Sequence, residues 1–298
     1  MSKNFFSELE NLGFKDLNDI DIYKKKDSDN LNKKNNKELN KKSLLYEKEL
    51  ICPVCKNKFK AKAVKTSAAR MEGKDSDFFI RYYIINPYFY DVWLCNNCGY
   101  ATMKKDFKNI KSYEIDLIKK HITSKWKGRK YPDLYDLDTA IERYKISLLN
   151  YVVMESKSSK KAMNCLKIAW MYRLKNDYEK ELHFLKQALE GFNYTFQYES
   201  SNNIYGMNKF TLMYLIGELN RRIGNDDIAL QWFSKVVTSL GINSRLKEMA
   251  RDQRDLIKEK QKSSNNTEDF SIDATENFEK KVNLKNNKKG FFSKLFNK

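Results

Sequence analysis

The sequence is poor in several residue types that particular protein classes require. It has only two histidines, His121 and His183, which leaves little material for chemistry that depends on several imidazoles. Ten glycines and three prolines in 298 residues are too few for an architecture built mainly from strands and tight turns. No apolar run approaches the length of a membrane-spanning helix, and the first residues lack the pattern of a secretory signal. We therefore expect a helical, cytoplasmic protein.

Positive charge is abundant but spread along the chain. Lysine and arginine outnumber aspartate and glutamate by 57 to 39, which gives a formal net charge of +18. The stretches 44–138 and 139–262 carry +7 each, and lysine supplies 47 of the 57 cations. Because arginine, which reads guanine edges with two hydrogen bonds, is scarce, the composition disfavours sequence-specific recognition of a duplex. A lysine-rich solvated surface is the favoured interpretation, and a polyanionic partner stays open.

Composition divides the chain into four parts. Residues 1–43 combine a short amphipathic segment with a polar linker, and residues 44–106 hold two pairs of cysteines among aromatic residues. Residues 107–262 have helical periodicity, and residues 263–298 form a polar tail, predicted to be disordered, with a short basic amphipathic end. The predicted fold is mainly α: a TPR-like array of helical hairpins, preceded by a small zinc-ribbon-like β module with four cysteines.

Two Cys-x-x-Cys pairs are the most specific feature of the second part. Cys52 and Cys55 form the first pair, and Cys95 and Cys98 form the second, with 39 residues between the pairs. Two such turns supply the four thiolates of a tetrahedral zinc site, which is closed to water and therefore structural. Iron would use the same ligands, so zinc, one ion per chain, is the favoured of two metals. A disulfide or a redox pair is disfavoured, because neither an oxidising compartment nor a βαβ context is indicated.

The residues between the cysteine pairs predict three strands of one small sheet, at 59–64, 78–85 and 90–94. Aromatic residues are dense here, and Arg70 and Arg81 lie close to them in sequence. One interpretation is a platform on which nucleic-acid bases stack. The favoured one is that the rings fill a core, because alternation places only half of them on any one face. The aromatic residues are Phe78, Phe79, Tyr82, Tyr83, Tyr88, Phe89, Tyr90 and Trp93.

The same region carries the motifs of a known family. The first block is Ile51-Cys-Pro-Val-Cys55, and the second runs from Asn86-Pro87 through Tyr-Asp-Val-Trp93 to Cys95-Asn-Asn-Cys-Gly-Tyr-Ala101. With these blocks, Arg70, Asp77 and Phe107, about residues 44–240 resemble the DUF2225 family, a bacterial family of unknown function. The resemblance implies a zinc-ribbon-like element joined to TPR-like helices in a cytoplasmic protein. It implies no activity or substrate.

The third part contains two passages, 169–188 and 217–236, that align with each other at an offset of 48 residues. A tetratricopeptide unit spans about 34 residues, so the array is irregular, with a helix from Tyr178 to about Tyr198 and a long connection after it. Further helices are predicted at 107–123, from an Asp138-Thr139 cap to about 155, and at 244–262. Such a stack presents a face to a protein or peptide partner, while a plain helical bundle is the alternative.

No catalytic or cofactor-binding residue can be selected. The sequence has no nucleophile elbow, phosphate-binding glycine loop or His-Glu zinc motif. His121 is interpreted as a cation at a helix end, His183 as a packed or surface residue, and Cys165 as core. Acidic pairs such as 226–227 lie at helix starts, where they complement the helix dipole. We therefore expect a protein that is not an enzyme, of undetermined oligomeric state.

The two ends share the pattern Phe-Phe-Ser-x-Leu, beginning at Phe5 and at Phe291. The second copy lies among lysines, and a short basic amphipathic helix would make weak contact with an anionic membrane surface. Burial of Phe291, Phe292, Leu295 and Phe296 would contribute about 6–12 kcal/mol, and ordering the backbone would cost about 9–18 kcal/mol. The tail alone is therefore expected to bind weakly at best.

Overall fold

The computed structural model describes residues 41–199 and 203–263. The chain divides into two compact units, Met1–Ser43 and Leu44–Lys298. The two Phe-Phe-Ser-x-Leu segments, with most of the linker and the tail that flank them, lie outside the described residues. The strands and long helices that the structure describes all belong to the second unit.

Six short strands form three separate antiparallel pairs. Strand β1 pairs with β2, β3 with β4, and β5 with β6. The single three-stranded sheet predicted from the sequence is therefore wrong. The strands are β1 (Leu45–Ile51), β2 (Lys58–Val64), β3 (Met71–Lys74), β4 (Ile80–Tyr82), β5 (Val92–Leu94) and β6 (Ala101–Met103).

Local turns explain why the strands pair two by two. Residues 52–57 join β1 to β2 and residues 95–100 join β5 to β6, so that each strand pairs with its neighbour in sequence. The prediction missed three strands: β1, of which only Leu50 is buried, β3, and β6, in which all three residues are buried. Strand β1 does not alternate between apolar and polar residues, and β3 and β6, with four and three residues, are too short to show a period-2 signal.

Seven α-helices follow the strands in the part of the chain that the structure describes, and the mainly helical fold is thereby confirmed. They are α1 (Ser112–His121), α2 (Leu137–Val153), α3 (Ser158–Leu174), α4 (Tyr178–Tyr198), α5 (Lys209–Arg222), α6 (Asp226–Thr238) and α7 (244–263).

The helix boundaries agree with the sequence except at two starts. Helix α1 begins at Ser112 rather than at 107, because Phe107 is fully buried and its carbonyl oxygen accepts a hydrogen bond from the Tyr100 hydroxyl. Helix α2 is capped by Asp136, two residues before the predicted cap. The Asp136 carboxylate accepts from the Thr139 amide at 2.8 Å, which satisfies one of the free amides of the first turn.

The turns of the two aligned hairpins, α3–α4 and α5–α6, have the same backbone geometry. Asn176 and Gly224, which are 48 residues apart, both have a positive φ, at 57° and 90°. The next amide in each turn donates back to the helix before it, Asp177 to Tyr172 and Asn225 to Asn220. This pattern is the Schellman end of a helix, and it confirms that the two passages repeat one structural unit.

One hydrophobic cluster runs from the cysteine module into the helices. It begins with Leu50 on β1, passes through Phe107 and helices α2 to α4, and ends with Leu219 on α5. A second cluster joins α5, α6 and α7 around Phe233. Because the module has little core of its own, we infer that its strands depend on packing against the helices.

Helices α3 and α4 approach closely at Gly191. A β-carbon built on Gly191 would lie 2.8 Å from the β-carbon of Ala162, which is too short for a contact between two such atoms. Since Ala162 has no rotatable side chain, the two helices would have to separate to admit the extra methyl group.

We expect Gly191→Ala to destabilise the protein by about 1–3 kcal/mol through overpacking, although alanine ordinarily favours a helix over glycine by about 1 kcal/mol. Urea denaturation measures the change. Adding Ala162→Gly to the variant should restore most of the loss, since it removes the colliding atom. A stabilised Gly191→Ala protein would show that α3 and α4 do not pack at this distance.

Candidate metal centre

Two turns of matching geometry carry the four paired cysteines. In the first turn the Cys52 amide donates to Asn57 and the Lys56 amide donates to Cys52, both at 2.9 Å. In the second turn the Cys95 amide donates to Tyr100 and the Gly99 amide donates to Cys95, again at 2.9 Å. These turns direct each cysteine pair to one side of its strand pair, so that the two strand pairs present four thiols to each other.

The four sulfur atoms form a tight cluster. All four lie within 4.8 Å of one another, with Cys52 Sγ 3.6 Å from Cys98 Sγ and Cys55 Sγ 3.6 Å from Cys95 Sγ. Four sulfurs around a tetrahedral zinc ion, each about 2.3 Å from it, are separated by roughly 3.8 Å. A disulfide requires about 2.05 Å, and all five cysteines are free thiols in the structure. The spacing therefore matches a metal centre.

Contacts between the sulfur atoms shift the pKa values of three of the cysteines in opposite directions. Donation from Cys52 and Cys98 lowers the pKa of Cys95, because their S–H groups stabilise its thiolate. The same contact with Cys95, together with burial, raises the pKa of Cys52 to about 12, and contact with Cys52 and Cys95 raises the pKa of Cys98. The cluster therefore favours one thiolate, at Cys95, and opposes ionisation of the Cys52 and Cys98 thiols. A dication would offset that repulsion and allow all four thiols to ionise.

The segment after α1 covers the second turn. The Trp126 indole N–H donates to the Asn96 carbonyl at 2.8 Å, and the Thr123 hydroxyl donates to the Cys98 carbonyl at 3.0 Å. Trp126 also lies against Gly99, where a β-carbon would be 2.8 Å from the indole ring. Gly99 has a φ of 77° as well, so both the backbone and the space require glycine at this position.

Helix α2 supplies hydrogen bonds that another strand would otherwise provide. The Asn150 side chain accepts from the Ala101 amide at 3.2 Å and donates to the Gly99 carbonyl at 3.3 Å. The Met103 amide donates to the Tyr151 hydroxyl at 3.1 Å. The second cysteine turn and β6 are therefore fixed to the helical part by side chains. Sequence reasoning missed Asn150 and Tyr151, because a buried polar residue on a helix has no local signature.

A second polar cluster fastens the β3–β4 turn to helices α3 and α5. Asp77 is fully buried and accepts from Arg173 Nη2 at 2.6 Å and from the Trp170 indole at 3.0 Å. Arg222 Nε lies 3.6 Å from the same carboxylate. Burial alone would raise the pKa of Asp77, but these guanidinium groups and the indole lower it below its ordinary value. The carboxylate is therefore held ionised in the interior.

Glu218 extends this cluster on α5. It is fully buried, and its carboxylate accepts from the Ser76 hydroxyl at 2.6 Å and from Arg221 and Arg222 at 2.7 to 2.8 Å. Two buried carboxylates thus face three arginines from two helices. Asp77 was noted in the sequence only as part of the family resemblance, and its partners lie too far along the chain to be inferred from spacing.

The aromatic residues around 78–93 mostly fill the interior, as the favoured interpretation predicted. Phe79, Tyr90 and Trp93 are buried, and only Tyr83, at 75%, is strongly exposed among the eight rings. Arg81 is bonded to Asp75 through Nε at 2.8 Å and Nη2 at 3.0 Å. Most of the aromatic rings that would form a stacking platform are therefore packed in the interior.

The remaining sequence predictions concern three isolated side chains. Cys165 is buried on α3, which confirms a core position, and burial raises the pKa of its thiol to about 12. His121 ends α1 among basic residues, as expected. His183 lies exposed on α4 with its ring against Phe184. The structure brings none of these three into the four-cysteine cluster.

The fold and the cluster define a mainly helical protein with a small four-cysteine module. The chain belongs to the DUF2225 family, described as an uncharacterized protein conserved in bacteria, whose model matches residues 45–257. The resemblance seen in the motifs is thereby confirmed. No curated protein matches the chain at a significant level. None of the described helices is both long and apolar enough to span a bilayer.

Proposed function

We propose that this protein is a non-enzymatic cytoplasmic adaptor, in which a zinc-ribbon-like module supports TPR-like helices that bind a partner protein. The observation that carries this proposal is a half-exposed apolar face along helices α2 and α4. Leu149 and Val152 on α2 are 53% and 55% exposed, and Tyr194 on α4 is 53% exposed. Large apolar side chains exposed on two helices that flank a third can form part of an interaction site.

This face borders two cavities that are lined by helices α2, α3 and α4. We name the two cavities together the partner groove. The first, of 370 Å³, is lined by Val152, by Ala162 on α3 and by Tyr194, among others. The second, of 550 Å³, is lined by Leu149 and by Tyr172 on α3, among others. The groove therefore has walls from α2 and α4 and a floor from α3, a shape that accepts an amphipathic segment of another protein.

One end of the groove is lined by charged residues of both signs. Lys145 and Lys180 both place their ammonium groups over the Tyr172 ring, at 5.5 and 5.6 Å from its centroid. The lining of the same cavity also contains Lys175 with its ion-pair partner Asp138, and Glu142. Because Lys175 and Lys180 are already paired with Asp138 and Asp177, the feature of the groove left for a partner is its apolar face, which an amphipathic segment would complement.

Four thiolates fit a zinc ion as a structural centre. The donors Cys52, Cys55, Cys95 and Cys98 are soft sulfur ligands, which zinc accepts in tetrahedral sites, and iron is the alternative for the same set. All four positions of such a site would be occupied by the protein, so bound zinc would add stability rather than activate water. A metal site that is closed to water supports the proposal that the protein is not an enzyme.

The experiment that tests the adaptor function is capture of partners by the full-length protein from its native cell, followed by mass spectrometry. We expect the variant Leu149→Glu/Val152→Glu to reduce recovery of the main partner at least tenfold, since buried interface anchors each contribute about 2 kcal/mol or more. The matched control is Ile228→Glu on α6, a residue that is 45% exposed and lies outside the groove. Recovery that is equal with the groove variant and the wild type would contradict the proposal.

Nucleic acid is a second candidate partner, favoured by the net charge of +18. Filter binding of single-stranded and duplex probes across a salt series tests it, since phosphate contacts produce a steep salt dependence. Absence of affinity at low salt would remove this candidate. Membrane recruitment by the basic end is a weaker candidate, and sedimentation with anionic vesicles, compared with a chain that ends at Asn287, would decide it.

A further inference from the structure

A cavity of 400 Å³ lies apart from both the cysteine cluster and the partner groove. Three elements surround it: the β3–β4 turn, the start of α5, and the loop that leads into α7. It shares no residue with the partner groove. Its lining consists of Lys74, Phe78, Asn208, Phe210, Thr211, Gly241, Ile242, Asn243, Arg245, Leu246 and Met249.

The lining combines an apolar floor with two positive charges. Five of its side chains are large and apolar, and no aspartate or glutamate is among the residues that line it. Lys74 and Arg245 make no salt bridge with any carboxylate in the described residues. The cavity therefore has a positive potential that none of the described lining residues neutralises.

Lys74 is an exposed residue whose side chain lies over an aromatic ring of the cavity lining. Its ammonium group lies 4.6 Å from the centroid of the Phe78 ring. Asp75, the nearest acidic residue in sequence, is bonded to Arg81 and Arg173 instead. Burial and, after it, the nearby positive charge of Arg245 lower the pKa of Lys74. An anion between the two side chains would relieve that repulsion.

Phe78, in the wall of the cavity, has an unusual backbone conformation. Its φ is 70°, in the left-handed region that a bulky side chain rarely adopts. This conformation places the aromatic ring in the cavity lining, while the same ring also packs on Tyr214 with centroids 5.4 Å apart. Backbone strain of this kind persists where the surrounding structure fixes it, and it concentrates at binding sites.

From these observations we infer that the cavity binds a small amphipathic anion, a single carboxylate attached to an apolar chain. Lys74 and Arg245 bind the carboxylate, with Arg245 able to donate two parallel hydrogen bonds. Phe78, Phe210 and Met249 contact the apolar chain. The volume and the mixture of an apolar wall with a few charged groups are those of a small-molecule site.

Octanoate is the probe for this site, with octanol as an uncharged analogue of the same length and octylammonium as its cationic counterpart. Isothermal titration of the full-length protein should give one octanoate per chain. Octanol should bind at least tenfold more weakly, and octylammonium should not bind. The variants Lys74→Met and Arg245→Met should each weaken octanoate at least tenfold while thermal unfolding stays unchanged, and Lys258→Met, on an exposed residue of α7, should leave binding intact.

Two results would overturn the inference. The first is equal affinity for octanoate and octanol, or equal affinity in the wild type and the Lys74→Met/Arg245→Met protein, since the charges would then contribute nothing. The second concerns the source of the carboxylate. A pentapeptide that ends in two leucines with a free carboxylate should bind no better than octanoate. Binding of this peptide without binding of octanoate would assign the cavity to a protein terminus instead.

Discussion

Replacing Cys95 by serine is expected to abolish the native fold. Cys95 is fully buried in the four-sulfur cluster, and serine would leave the metal with three thiolates. Structural zinc contributes about 10–16 kcal/mol in small zinc modules, which exceeds or matches the whole stability of about 5–15 kcal/mol for a typical domain. Circular dichroism should show loss of cooperative unfolding, and metal analysis should show zinc falling from one per chain to well below one.

Cys165→Ser is the matched control for this experiment. The chemical change is the same, but Cys165 lies buried on α3 outside the cluster. We expect it to cost about 1–3 kcal/mol for burying a hydroxyl and to leave the zinc content unchanged. A Cys95→Ser protein that keeps both its zinc and its unfolding midpoint would show that the cluster is not a structural metal site.

Asp77→Asn is expected to destabilise the protein by about 3–5 kcal/mol. The substitution preserves the shape of the side chain but removes the negative charge that faces Arg173 and Arg222 in the interior. Leaving buried guanidinium groups without this carboxylate is costly, even where the intact pair itself adds little. Guanidinium chloride denaturation of the zinc-loaded protein measures the loss.

Asp138→Asn serves as the control for charge removal at the surface. Asp138 pairs with Lys175, and both side chains are exposed, at 73% and 45%. Solvent screens such a pair, so we expect no measurable change in stability. Equal effects of the two substitutions would mean that the Asp77 cluster is not a buried ion-pair network.

The same cluster gives the protein a defined dependence on pH. Since the pKa of Asp77 is lower in the folded protein than in the unfolded chain, its contribution to stability is present above the unfolded pKa of about 3.9. It is lost as the pH falls from there through the folded pKa. Acid titration of unfolding free energy should therefore be less steep in Asp77→Asn than in the wild type.

The cysteine cluster could be predicted from the sequence because the Cys-x-x-Cys spacing of each pair is a local pattern. Each pair of cysteines lies within one turn, and the chemistry of four thiols indicates a metal centre without any knowledge of the fold. The repeated helical hairpins were also predictable, since the turns at Asn176 and Gly224 and the long helix α4 follow from residues close in sequence. These features depend on short-range patterns alone.

The features that sequence reasoning missed depend on contacts between distant residues. Asn150 bonds to Ala101 across 49 positions, and Arg173 bonds to Asp77 across 96. The pairing of strands failed for the same reason, because β6 is fixed by hydrogen bonds from helix α2 rather than by a third strand. A buried polar side chain looks, in the sequence, like a surface one.

These contacts join the cysteine module to the helices, so the stability of each depends on the other. The cysteine turns are covered by Trp126, their strands are bonded to α2, and the β3–β4 turn is bonded to α3 and α5 through Asp77. We therefore expect loss of the metal to affect the helices as well as the strands, and through them the partner groove. We therefore expect the proposed zinc centre and the proposed partner groove to behave as parts of one folded unit.

X-ray absorption at the zinc edge of the purified full-length protein is the most direct test of the proposed zinc centre. We expect one zinc per chain surrounded by four sulfur atoms at about 2.3 Å, with no oxygen or nitrogen neighbour. Fewer than four sulfur neighbours would mean an open site at Cys52, Cys55, Cys95 and Cys98. A protein that carries iron there, or no metal at all, would contradict the structural zinc centre.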